Sequence, residues 1–282
     1  MSAVTFCGSG GLERPLAPRL TCMGIPKYHK WLTERYPDAF SEAQGEWADH
    51  VYVDINAQLH DVMRHAVNLE GFYSHLFSKL DGLFRAVAPS RSVFLAVDGP
   101  ASCAKCLTQR QRRRAHAQKD SRHKKGGKGK GKAQGSGLSN NMLTPGVPFM
   151  AELTSALEYY VASRMGPRGP FERCEFATVS GACAVGEGEH KIVSQMLRNA
   201  GSLGEGAAPE SHVIFSGDAD IFLLSLVQSS CRRVRVVSER PDEAGKKGGG
   251  GVKRRHGMML QVWDAEALAE YLHQDTVARA PP

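Results

Sequence analysis

The chain has 282 residues, enough for one large domain or two modest ones, and its 41% hydrophobic and 23% charged content is ordinary for a globular protein. Lys+Arg of 36 against Asp+Glu of 29 leaves a net charge of +7, gathered mostly in residues 105–132 and 246–255, which suits a polyanionic partner, RNA or DNA first, and fits a pair of plain solvated loops about equally well. Seven cysteines, odd in number and scattered, exclude a disulfide framework and point to a reducing compartment, and no apolar run approaches the ~18 residues of a membrane span.

Residues 1–22 are small, Gly-containing and almost without acid, so a disordered N-terminal extension is expected there. Short β-branched or aromatic runs then predict strands at Val51–Ile55, Val93–Val97, Cys174–Val179, His212–Phe215, Val234–Val237 and Leu260–Trp263. Between them lie helix-period stripes: Leu153, Ala156, Leu157, Tyr160 and Val161, then Ile192, Val193, Met196 and Leu197. Strands alternating with helices predict an α/β fold with a central, mostly parallel sheet flanked by helices. Two Lys/Gly-rich segments cannot bury a core and predict flexible basic loops, at 120–140 and 241–257. Cys103 and Cys106 form a C-x-x-C without a second pair at zinc spacing, so no metal is expected on them.

Three predicted strands end in acid: VYVDIN at Asp54, VFLAVDGP at Asp98, and VIFSGDAD at Asp218 and Asp220. A fourth leads after a short link into VGEGEHKI, with Glu187 and Glu189. Ligands of open parallel sheets bind outside the carboxyl ends of the strands, so these six carboxylates can converge on one edge. Helix capping explains any one of them, since Asp after a strand is a good N-cap worth about 1 kcal/mol. It explains the doubled pairs poorly. Six carboxylates crowded together stay ionised only beside cations, and an all-oxygen set suits Mg²⁺ or Mn²⁺ better than zinc. Two such ions about 3.5–4 Å apart are a common device for phosphodiester cleavage. Gly186, Gly188 and Gly217 interleave the acids and permit tight turns beside a ligand.

The segment DGPASCAKCLTQRQRRRAHAQK follows Asp98. If 104–117 is helical, Lys105, Gln109, Arg112 and Arg113 share an arc of about 100°. Guanidinium forks grip phosphate in bidentate fashion, so this face suits a terminal phosphate. A solvated basic helix that binds nucleic acid loosely fits the spacing equally well.

Taken in order, MGIPKYHKWLTERYP (23–37), VYVDINAQLH (51–60), AVDGPASCAKCLTQRQRRR (96–114), TPGVPFM (144–150), GEGEHKI (186–192) and GDADIFLL (217–224) resemble the N-terminal conserved region of the Xrn-type 5′→3′ exoribonucleases. GEGEHKI or GDAD alone would suggest only the wider flap-nuclease, PIN-like superfamily. The resemblance spans about 23–272, and implies a nuclease domain there with a tail at 273–282. It assigns metal binding and catalysis to Asp54, Asp98, Glu187, Glu189, Asp218 and Asp220, and a 5′-phosphate pocket to Lys105, Gln109, Arg112 and Arg113. It also matches Asn56 and His60, which it sets beside the scissile region.

What the resemblance implies is Mg²⁺-dependent, two-ion release of 5′-mononucleotides from single-stranded RNA bearing a 5′-monophosphate, in the nucleus or cytoplasm, with RNA processing in the nucleus favoured. Family members continue to a further aspartate and a channel-shaping segment. The chain ends at Pro282 before either, which leaves open a fragment, or an RNA-binding remnant or scaffold of the same fold that does not turn over. A flap-type DNA nuclease is the third possibility, and the MGIPK start favours the RNA family over it.

Overall fold

Apolar residues on alternate positions of each strand bury both faces of one sheet, and helices cover both. A computed structural model describes residues 28–43, 45–101, 107, 110, 114, 138–203, 206–226, 231–239 and 260–279. Helix α1 (Tyr28–Arg35) leads into the short strand β1 (Phe40–Glu42) and the long strand β2 (Glu46–Asp54). Helices α2 (Ile55–His65) and α3 (Leu69–Ala86) carry the chain to β3 (Val87–Ala96). Then come α4 (Pro148–Ala162), β4 (Phe176–Ser180), α5 (Gly188–Gly201), β5 (His212–Phe215), α6 (Ala219–Leu226), β6 (Val234–Glu239), β7 (Leu260–Asp264) and α7 (Ala265–Arg279).

The seven strands run in the order β1-β7-β6-β5-β2-β3-β4. The five from β6 to β4 are parallel, and β7 and β1 add antiparallel pairings at one edge. Register is set by the apolar pattern: Val51 faces Val93 and Val213, and Val53 faces Leu95 and Phe215. These residues point to one face, where α2, α3 and α4 contribute Leu59, Phe72, Leu76, Leu153 and Leu157. Tyr52, Phe94 and Ile214 point to the other, against Leu32, Ile192, Met196, Ile221 and Leu268 of α1, α5, α6 and α7. A strand buried on both faces reads as a continuous apolar run, as VIF of β5 does.

The six predicted strands are all present, His212–Phe215 with the ends expected and the other five with shifted ends. Ile55 is the first residue of α2 rather than the last of β2, because Asp54 caps the helix, accepting from Asn56 N at 3.0 Å. Strand β4 starts at Phe176 rather than Cys174. The three-residue β1 is too short to show a period. Leu197 lies off the buried stripe of α5, at 39% exposure. Of the predicted basic loops, 120–137 and the whole of 241–257 lie outside the described residues, and Asn140–Met142 forms a 3-10 turn capped by Ser139. Cys174, Cys183 and Cys231 are free thiols. Among the described residues no helix is long and apolar enough to cross a membrane.

The chain leaves β2 toward β3 and β4 on one side, then crosses to β5 and β6 on the other. The order therefore reverses between β2 and β5, and the carboxyl ends of these strands open a crevice there, the usual place for a ligand in such sheets.

The opposite edge of the same strands is closed by a buried polar network. Asn199 of α5 donates to the Tyr52 hydroxyl at 2.9 Å and lies 3.2 Å from His50 Nδ1. Tyr52 meets His212 Nδ1 at 3.0 Å, and the two imidazoles stack with centroids 5.0 Å apart. His50 Nε2 contacts Glu210 at 2.6 Å, a carboxylate it shares with Arg91. Burial pushes His50 down to about 4, with the Arg91 charge adding to it. Burial does the same to His212, helped by His50, also to about 4.

Both histidines therefore stay neutral in the fold while their unfolded counterparts take up protons below about 6.5. Their contribution is complete above that pH and falls as pH drops toward 4. At pH 5 each costs about 2 kcal/mol of stability. The urea midpoint is expected to drop between pH 7.5 and 5, and replacing His212 by Gln should flatten that drop. An equal slope in the variant would show that these rings do not set it.

Candidate active site

The crevice between β2 and β5 is where four of the acidic strand ends meet. Asp54 closes β2, and its buried side chain accepts from Asn56 N and, at 3.1 Å, from Ser216 Oγ. Ser216 follows β5, so this bond ties the two strands together across the point where their order reverses. Ser216 Oγ also accepts from Asp218 N at 3.2 Å, which orients the turn into α6. In that turn Asp218 Oδ1 accepts from Asp220 N at 3.3 Å. Asp218 is exposed and Asp220 half-buried, at the rim of the crevice.

Asp98 follows β3. Its backbone amide donates to Asn56 Oδ1 at 3.1 Å, so the Asn56 side chain holds Asp98 while its backbone amide donates to Asp54. Asp98 Oδ1 accepts from Gly188 N at 2.7 Å, at the first residue of α5, where the helix dipole also favours a negative charge. A side chain at 188 would crowd both carboxylates: a Cβ there would stand 3.0 Å from Asp54 Oδ1 and 3.4 Å from Asp98 Oδ1. The glycine of GEGEH thus admits two aspartates to one helix end.

Glu187 and Glu189 flank that glycine and are each 8% exposed. One oxygen of Glu189, Asp218 and Asp220 lie within 4.8 Å of one another, and so do ligand atoms of Glu187, Glu189 and His190. Glu189 belongs to both groups and joins them. His190 Nδ1 stands 3.9 Å from Glu187 and 3.8 Å from Glu189. The crowding has an electrostatic signature. Burial, and next the charge of Asp98, push the Asp54 carboxyl up to about 7. A cation between them would remove that penalty.

The six predicted carboxylates therefore gather around the start of α5, although capping accounts for part of the role of Asp54. Asn56 lies inside the cluster as a positioning group. His60, one turn further along α2, is exposed. Lys105, Gln109, Arg112 and Arg113 lie outside the described residues. Two features escaped the sequence reading. Ser216 is fully enclosed and bridges Asp54 to Asp218, but a serine before a glycine looks like any turn. Gly99 donates to Gly186 O at 2.9 Å, and Gly186, at φ +108°, donates to Pro100 O at 3.1 Å. This clasp holds the 181–187 loop against the exit of β3, so that Glu187 comes beside Asp98.

A family model described as the N-terminus of the XRN 5′-3′ exonucleases matches residues 23–240. Human 5′-3′ exoribonuclease 1 is 31% identical over 237 residues, covering 80% of this chain and 14% of its own length. The enzyme of the same name from Saccharomyces cerevisiae is 30% identical over 216 residues, covering 72% and 14%. Arabidopsis thaliana 5′-3′ exoribonuclease 2 is 27% identical over 305 residues, covering 88% and 30%. The chain thus spans less than a third of the length of each of these relatives. Among solved structures, the catalytic core of Rad2 in complex with a DNA substrate is similar at a TM-score of 0.42 and 13% identity, over 89% of this chain and 58% of that one.

Proposed function

The chain belongs to the XRN 5′-3′ exonuclease family, and from that premise we propose that it hydrolyses single-stranded RNA from a 5′-monophosphorylated end, one 5′-mononucleotide at a time. The observation that carries the proposal is the convergence of carboxylates from four strand ends on the start of α5. An all-oxygen set of this kind fits Mg²⁺ or Mn²⁺. Asp54, Asp98, Glu187, Glu189, Asp218 and Asp220 would hold two such ions. When bound, divalent ions lower the pKa of a water and stabilise charge on the leaving oxygen.

The residues of the chain supply the rest. Asn56 and Ser216 fix the aspartates at their hydrogen-bond distances, so that no reorganisation is needed when substrate arrives. Water adds to the phosphorus between the first and second nucleotides, and the bond to the 3′ oxygen of the first breaks. That oxygen leaves with a proton. The new end of the RNA again carries a 5′-phosphate, so one phosphate pocket serves every cycle. Lys105, Gln109, Arg112 and Arg113, on one helix face, are proposed to form it, with His60 beside the scissile region. A setting in the nucleus or cytoplasm, where RNA is turned over, is part of the proposal.

The phosphate pocket is tested by Arg112→Ala. Loss of one guanidinium fork is expected to reduce the preference for 5′-phosphate over 5′-hydroxyl RNA by about 10-fold to 100-fold, in line with about 1.5–3 kcal/mol for a hydrogen bond to a charged group. Cleavage of the 5′-hydroxyl substrate should change little. Equal losses on both substrates would assign Arg112 to general RNA binding instead.

A further inference from the structure

Lys191 is buried in the second turn of α5, at 8% exposure, and none of the roles above uses it. Its stem runs beneath Gly186, where a Cβ would stand 3.8 Å from Lys191 Cγ. Its ammonium donates to the carbonyl of Val97 at 2.7 Å and to that of Gly181 at 2.9 Å.

Those carbonyls mark where two neighbouring strands part. β3 and β4 stay in register to Ala96 and Ser180, and Val97 N still donates to Ser180 O at 2.9 Å. A continuing parallel ladder would next give the Val97 carbonyl the amide of residue 182. Ala182 N turns away instead, to Thr154 Oγ1 at 3.3 Å. β3 then enters the crevice through Asp98, and β4 runs through the 181–187 loop to Glu187. Buried carbonyls that lose a ladder partner need another donor. Lys191 provides it to Val97 and ties that carbonyl to Gly181, whose own carbonyl also accepts from Ala184 N at 3.1 Å.

We infer that Lys191 is a positioning residue that holds the two parted strand ends open at the spacing the carboxylates require. A closed circuit supports this. Val97 is bonded covalently to Asp98, Asp98 Oδ1 accepts from Gly188 N at 2.7 Å, Gly188 lies three residues before Lys191 on the same helix, and Lys191 returns to Val97 O. Removing the ammonium breaks the circuit next to Asp98 and takes one tie from the loop that carries Glu187. The role rests on the proposed metal site, and it is a role in shaping that site rather than in touching substrate.

The test is Mn²⁺ binding to the purified full chain, followed by electron paramagnetic resonance, with metal-free folding followed by circular dichroism. Lys191→Met keeps the stem and removes the donors. It is expected to fold and to bind Mn²⁺ about 10-fold to 100-fold more weakly, the usual effect of losing a group that orients metal ligands. Should it not fold, Lys191→Gln retains one donor and is expected to weaken Mn²⁺ binding by about 3-fold or more, within the same range of supporting-shell effects. Wild-type affinity in the variant that folds, whatever its melting temperature, overturns the inference and leaves Lys191 a merely structural lysine. Asp218→Ala serves as the ligand control. A folded wild-type chain that binds no Mn²⁺ overturns the carboxylate site itself, and the inference with it.

Discussion

Asp218→Ala is expected to abolish Mg²⁺-dependent release of nucleotides, lowering the rate roughly a thousandfold or more, equivalent to about 4 kcal/mol at 1.36 kcal/mol per tenfold. Asp218 is exposed, and its side chain accepts from Asp220 N at the start of α6, while the bond from its backbone amide to Ser216 survives the substitution. Its loss therefore costs folding little, about 1 kcal/mol if it acts as a cap. The two roles separate cleanly. A metal ligand loses activity and divalent-ion binding while metal-free melting stays near wild type. A pure helix cap loses a few degrees of melting temperature and keeps its rate. Unchanged turnover in this variant would remove Asp218 from the site and leave Glu189 and Asp220 without their third partner.

Gly99→Ala is expected to be the most damaging small substitution. A Cβ at this position would lie 1.7 Å from the carbonyl oxygen of Ala184 and 2.8 Å from its carbon. Both are backbone atoms, so the clash cannot be relieved by a rotamer change. The 181–187 loop must move away, and the Gly99–Gly186 clasp breaks with it. Overpacking of this kind costs about 3 kcal/mol or more. For a domain of this size that is on the order of 10 °C in melting temperature. Gly166→Ala is the matched control, since a Cβ there meets nothing within 4 Å. It should shift stability by less than about 0.5 kcal/mol. Equal shifts in the two variants would contradict the close approach. Because the clasp positions Glu187, Gly99→Ala should also weaken divalent-ion binding in whatever fraction remains folded.

Much of this architecture was legible in the sequence because it is local. The continuous apolar runs VYV, VFLAV and VIF mark strands buried on both faces, and an acid shortly after each marks its carboxyl end. In a parallel sheet those ends share one edge, so the convergence of the acids followed from strand direction alone. Which strands are neighbours is a non-local property. The crossover from β4 to β5, which opens the crevice beside Asp54, leaves no trace in composition or period. The same holds for Lys191 and Ser216. Each looks like an ordinary polar residue in a helix or turn, and each acquires its role from a partner far along the chain, Val97 for Lys191 and Asp54 for Ser216. The polar network of His50, Tyr52, Asn199 and His212 was equally hidden, because it joins two strands and the end of α5 across about 150 residues of sequence.

The most direct measurement uses one RNA labelled at its 5′ end, carrying either a 5′-monophosphate or a 5′-hydroxyl, incubated with the purified chain in Mg²⁺ or in excess chelator. The expected result is a labelled 5′-mononucleotide as the first product, formed only with Mg²⁺ and preferentially from the phosphorylated RNA. Retention of the RNA on the protein with no mononucleotide released, in Mg²⁺ as in chelator, would contradict the hydrolytic role.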